Sequence, residues 1–106
     1  MTDIQTMHVN DVEQVEVAPG IMRRQLPKTE YAGGWVIDFA PGTQWPEVDV
    51  HETEERYYVI SGEVIEGERR LGPGSYVVFA PGSRHQPRTE IGARMIGLSL
   101  RSVARW

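Results

Sequence analysis

Glycine and proline cut this chain into short pieces, and their spacing limits the fold more than any other feature. Turn signals fall at Pro19-Gly20, Gly33-Gly34, Pro41-Gly42, Ser61-Gly62, Glu66-Gly67, Gly72-Pro73-Gly74, Pro81-Gly82 and Gly92. Between them there is room for strands of about five to eight residues, but seldom for a self-supporting helix. Runs of strand-like composition occupy residues 21–26, 35–40, 45–51, 56–61, 63–65, 75–80 and 93–100. Only residues 10–14 have the makings of a helix start, and that segment is too short to matter. Regular short strands joined by glycine-rich turns predict an all-β sandwich or barrel.

The 106 residues suit one domain, spanning 1–106, with residues 1–12 expected to be loosely held. Eleven basic against fifteen acidic residues give a net charge of −4, and there is no basic tract. Neutralising phosphates needs clustered Lys and Arg, so no nucleic-acid partner is expected. The absence of cysteine excludes a disulfide framework and any thiolate metal site. No apolar run approaches membrane-spanning length and the start Met1-Thr2-Asp3-Ile4 lacks the pattern of a signal peptide, so a cytoplasmic location with no membrane partner is expected.

Chemistry concentrates between Asp49 and His85, where two of the three histidines lie close to carboxylates at strand–turn junctions. Side chains two apart in a strand share a face, so Glu47, Asp49 and His51 are expected to point one way. Glu55, Tyr57 and Val59 share a face on the next strand, after the acidic connection Glu52-Thr53-Glu54. If those faces line the interior, Asp49, His51 and Glu55 converge among apolar side chains. Carboxylates placed there need a cation or a donor, because an unpaired buried charge is costly. His85 follows Pro81-Gly82 and brings a second imidazole from another direction. Two imidazoles and two carboxylates suit one divalent transition metal, Fe, Mn, Ni or Zn; without Asp49, the set becomes two histidines and one carboxylate with open positions.

The other polar and aromatic residues have plainer readings. His8 reads as solvent-exposed, and Trp35, Trp45, Phe79 and Met95 as core or pocket wall. Tyr57 is the exception among the aromatics, since an interior hydroxyl beside a metal donates a hydrogen bond or a proton. With Glu55 it is the expected proton-relaying pair. Arg24 and Arg56 either bind a substrate carboxylate or sit exposed on their strands.

The same residues resemble the two motifs of the cupin superfamily, G-x5-H-x-H-x3,4-E-x6-G and G-x5-P-x-G-x2-H-x3-N. In the first, His51, Glu55 and Gly62 fall in place, Asp49 stands at the first histidine, and Gly42 lies one residue too far upstream. In the second, Gly74, Gly82 and His85 fit, Ala80 stands at the proline, which is shifted to Pro81, and Thr89 replaces the asparagine. Within the superfamily, Gly62-Glu63-Val64, Gly74-Ser75-Tyr76 and the stretch from Pro81 to Pro87 resemble the cupin domain of ChrR-type anti-sigma factors and related small RmlC-like cupins.

This resemblance implies a double-stranded β-helix, or jelly roll, with a metal held near one end of the barrel by Asp49, His51, Glu55 and His85. It also implies a homodimer, for which Ile21, Val36 and Leu98 are candidate contacts. Anti-sigma factors hold their sigma partner with a separate helical zinc-binding domain that this sequence does not contain, so a direct transcriptional role is not expected. Two functions stay open. One is a small metalloenzyme, such as a dioxygenase, isomerase or lyase, acting on a small organic substrate. The other is a non-catalytic module that senses a small ligand or metal. A metal-free acid–base enzyme using the same residues is a third.

Overall fold

The computed structural model describes residues 3–101 and is built almost wholly of antiparallel strands. Ten are present: β1 (Gln14–Ala18), β2 (Ile21–Lys28), β3 (Ala32–Phe39), β4 (Asp49–Val50), β5 (Glu55–Gly62), β6 (Val64–Glu66), β7 (Arg69–Leu71), β8 (Tyr76–Phe79), β9 (Arg84–His85) and β10 (Ala93–Leu100). Six of them make one large sheet in the order β1-β2-β3-β10-β5-β8. The opposing layer is made of the short pairs β4-β9 and β6-β7, stitched together by single bridges from Arg88 to Gln44 and to Ile65. The result is the jelly roll expected of the sequence.

Period-two alternation explains which faces meet. On β5, Tyr57 and Val59 are buried while Tyr58 and Ile60 face out. Ile21, Ile37, Phe39, Ala93 and Met95 join them from the large sheet, and Val64 closes the core from the small one. Each of the larger aliphatic and Phe side chains contributes about 1.5–3 kcal/mol on burial, which makes this cluster the main support of a chain without disulfides. Gly62 links the layers at φ 74°, and a Cβ there would meet the Gly92 carbonyl oxygen at 1.9 Å, so no other residue fits.

Residues 10–14 start no longer helix, as their shortness implied; a 3-10 turn at Val9–Asp11, capped by the exposed His8, leads into β1, a strand not expected there. Several expectations need correction. Gly33 and Gly34 lie inside β3 opposite Ser99 and Leu98, because their missing side chains make room for Lys28 and Leu26. The strand expected over residues 45–51 shrinks to Asp49–Val50, since Pro46 cannot donate to a ladder. Arg69–Leu71 and Arg84–His85 are additional short strands. Ile21 is fully buried and Val36 nearly so, which removes both from any surface contact, while Leu98 is 38% exposed.

Candidate metal centre

His85 is placed by pairing with Asp49 across β9 and β4. The next residue but one, His51, is pinned through its backbone: its N–H donates to Ser83 O at 2.9 Å, and its carbonyl accepts from Gly82 N at 2.7 Å. Gly82 has φ 88°, so glycine is what lets the Pro81-Gly82 turn reach back to His51. Glu55 opens β5 opposite Ser99, whose hydroxyl donates to Glu55 Oε1 at 2.9 Å. One ligand atom from each of Asp49, His51, Glu55 and His85 lies within 4.8 Å of the other three. Glu47, which was expected to share this face, is exposed and takes no part.

The fit to a cation rests on where the imidazole nitrogens aim. His51 Nε2 lies 3.1 Å from Glu55 Oε2 and 3.8 Å from Asp49 Oδ2; His85 Nε2 lies 3.9 and 3.6 Å from the same two atoms. Yet both Nε2 atoms are buried without a hydrogen-bond partner, because even the 3.1 Å contact lacks hydrogen-bond geometry. Buried polar atoms left unpaired are costly. Here four donor atoms point at a common space rather than at one another, as ligands of a divalent ion do.

Glu66 supports this arrangement. Its carboxylate accepts from His85 Nδ1 at 2.9 Å and from the Tyr57 hydroxyl at 2.5 Å. A proton on Nδ1 leaves the Nε2 lone pair of His85 free for a metal. Phe79 packs against all three rings, 4.2 Å from His85, 5.2 Å from His51 and 5.7 Å from Tyr57 between centroids. Burial disfavours the His85 imidazolium, but Glu66, Asp49 and Glu55 together outweigh it and raise the His85 pKa. Burial likewise raises Glu55, against the opposing effects of Ser99 and His51. Burial, then the hydrogen bond to Glu66, pushes the Tyr57 phenol far up.

The four expected ligands are thus brought together, whereas the Tyr57 hydroxyl is committed to Glu66. Arg24 pairs with Asp38 at 3.2 Å and Arg56 with Glu54 at 2.6 Å, so neither is free for a ligand. Glu66 and Ser99 carry no mark in the sequence. Glu66 precedes a glycine and reads as a turn residue, and its role follows only from β6 lying beside His85. Asp49, Glu55 and His85 form the floor of an open cavity of about 320 Å³ walled by Trp35, Trp45 and Met95.

Comparison with known proteins supports both the fold and its lineage. An RmlC-like cupin from Shewanella frigidimarina superposes with a TM-score of 0.83 over 95% of this chain and 94% of that one, at 19% identity. The polyketide cyclase RemF from Streptomyces resistomycificus gives 0.77 over 97% and 87%, also at 19% identity. The Rhodobacter sphaeroides complex of SigE with the anti-sigma ChrR gives 0.77 over 87% of this chain at 19% identity, and this chain spans 51% of that one. A comparison with curated protein sequences finds no match. The model of the ChrR cupin-like domain matches residues 2–104, and the chain belongs to that cupin family.

Proposed function

We propose that the protein is a small metalloenzyme that binds one divalent transition metal, Fe, Mn, Ni or Zn, through His51, Glu55 and His85 with Asp49 as a weaker fourth ligand, and acts there on a small organic molecule. The observation that carries this reading is the pair of orphaned Nε2 atoms facing two carboxylates at the floor of an open cavity. When bound, the metal would supply Lewis acidity toward a substrate oxygen, which suits oxygenation, isomerisation or elimination.

The chain's own residues do the rest. Trp35, Trp45 and Met95 exclude water along the cavity wall, and Glu66 fixes the His85 ring. Asp49, 42% exposed, is the carboxylate best placed to take a proton from a bound substrate. Tyr57 acts as a positioning residue through Glu66. A second copy covers the outer face of the large sheet, so that the working form is a homodimer.

A non-catalytic sensing module is the second reading. It is favoured by Asp49 standing where the cupin motif has a histidine and by the likeness to a complex containing an anti-sigma factor. Metal analysis of protein purified without an affinity tag, followed by turnover assays on a panel of small enols and hydroxy acids, tests both. Stoichiometric metal with turnover supports the enzyme; metal without turnover supports the module. No metal, with no rise in melting temperature on adding Fe(II), Mn(II), Ni(II) or Zn(II), sinks the metalloenzyme and leaves only a metal-free use of the same residues.

A further inference from the structure

The cavity has a second chemical character at its mouth. Arg23, Lys28 and Arg101 all line it, facing the acidic and imidazole floor across the tryptophan walls. Arg23 lies on the inward parity of β2, between the buried Ile21 and the cavity-lining Gln25. The stem of Lys28 runs along Gly33, where a Cβ would meet Lys28 Cγ at 3.3 Å, so that glycine leaves room for the lysine. Arg101 is steadied by donating from Nε to Thr29 O at 3.0 Å.

These three cations differ from several other arginines of the fold. Arg24 and Arg94 share Asp38, Arg56 holds Glu54, and Arg70 holds Glu63 and Glu90. Among the described residues, Arg23, Lys28 and Arg101 have no carboxylate partner. A divalent ion on the floor would neutralise Asp49 and Glu55, leaving three positive charges around a small space. Field lines focused in such a cleft favour an anion. A guanidinium in particular holds a carboxylate by paired, charge-assisted hydrogen bonds.

We infer that the ligand of this site is a small organic acid, with its carboxylate held by Arg23 and Lys28 at the mouth and an oxygen-bearing group directed to the floor. This assignment rests on the metal-site reading for the second half of the ligand only. The cavity volume, about 320 Å³, sits at the small end of the usual ligand range of roughly 300–1,000 Å³, and the tryptophan walls suit a short carbon chain between the two ends.

A matched pair of probes tests it. Succinic monohydroxamate and butyrohydroxamate carry the same metal-binding head, one with a carboxylate tail and one with a methyl. Calorimetry on Mn(II)-loaded protein should give about tenfold tighter binding of the first, as one charge-assisted contact implies. R23Q should abolish that preference and K28Q should reduce it, each leaving butyrohydroxamate binding and the melting temperature unchanged. R69Q, on β7 outside this cavity, should keep the preference. Equal affinities in the parent protein, or a preference that survives R23Q, would overturn the inference. If no metal binds, the metalloenzyme reading fails separately, and succinate titrated into metal-free protein decides: binding lost in R23Q supports the carboxylate subsite, and no binding rejects it.

Discussion

The Glu66 carboxylate meets His85 Nδ1 at 2.9 Å, on the edge of the ring away from the converging ligand atoms. This contact selects which nitrogen carries the proton and holds the ring in place. E66Q presents an amide that is able to donate to Nδ1, which would move the proton to Nε2 and take away the metal-facing lone pair. Metal affinity should fall about 10–100-fold, as it does for supporting carboxylates elsewhere. Y57F keeps the Glu66–His85 contact, so it should cost about 1–2 kcal/mol of stability with much less effect on affinity. Metal titrations followed by calorimetry separate the two; equal losses would mean that Glu66 only packs.

The ligand set gives a graded series. Removing His51 or His85 leaves at most three ligands, one of them the partly exposed Asp49, and should abolish tight binding. D49A should only weaken it, because Asp49 is the most exposed of the four. D49H restores the usual cupin histidine and should tighten binding. Melting curves provide the readout, since metal at 100 times its dissociation constant adds about 2.7 kcal/mol to the folded state. Loss of binding in D49A as complete as in H51A would make Asp49 a full ligand instead.

Much of this site was legible because cupin ligands sit at fixed distances from turns. His51, Glu55 and Gly62 kept their spacing, and strand parity put Glu55 and Tyr57 on the inward face. What was not legible depends on strands that meet only in three dimensions. Glu66 reaches His85 because β6 crosses beside β9, a pairing separated by 19 residues that no local pattern announces. Arg23 and Arg24 are adjacent in sequence and look alike, yet alternation sends one into the cavity and the other onto Asp38. Pro46 shortened the strand expected over residues 45–51, and Gly33 and Gly34 served close packing rather than a turn.

Protonation should work in opposite directions on the metal-free and metal-loaded protein. The pKa values of His85 and Glu55 are both raised in the fold, from ordinary values of 6.5 and 4.5. The folded state therefore binds more protons than the unfolded chain, and stability falls as pH rises. For Glu55 the loss begins above its ordinary value, and for His85 the contribution is whole below 6.5 and disappears through its raised folded value. Metal competes with those protons, so affinity should rise over about pH 6 to pH 8. Urea melts at several pH values should show metal-free stability falling while the gain on adding metal grows. A metal-induced gain that shrinks with rising pH would rule out these ligands.

The outer face of the large sheet is the last feature with a measurable consequence. Ile96, Tyr58 and Tyr76 are paired in register across β10, β5 and β8, and Leu98 and Val78 flank Arg56 in the next row. Ile96 and Leu98 are each 38% exposed, Tyr58 44% and Tyr76 57%, which makes this face an apolar patch interrupted by Arg56. A two-fold axis through this face would pack the patch on itself, which is the commonest way such surfaces are covered. Light scattering at tens of micromolar should give a dimer. I96E should yield a monomer that still takes up metal, because Ile96 points away from the cavity. A monomeric parent protein, or an I96E variant that stays dimeric, would place the interface elsewhere or remove it.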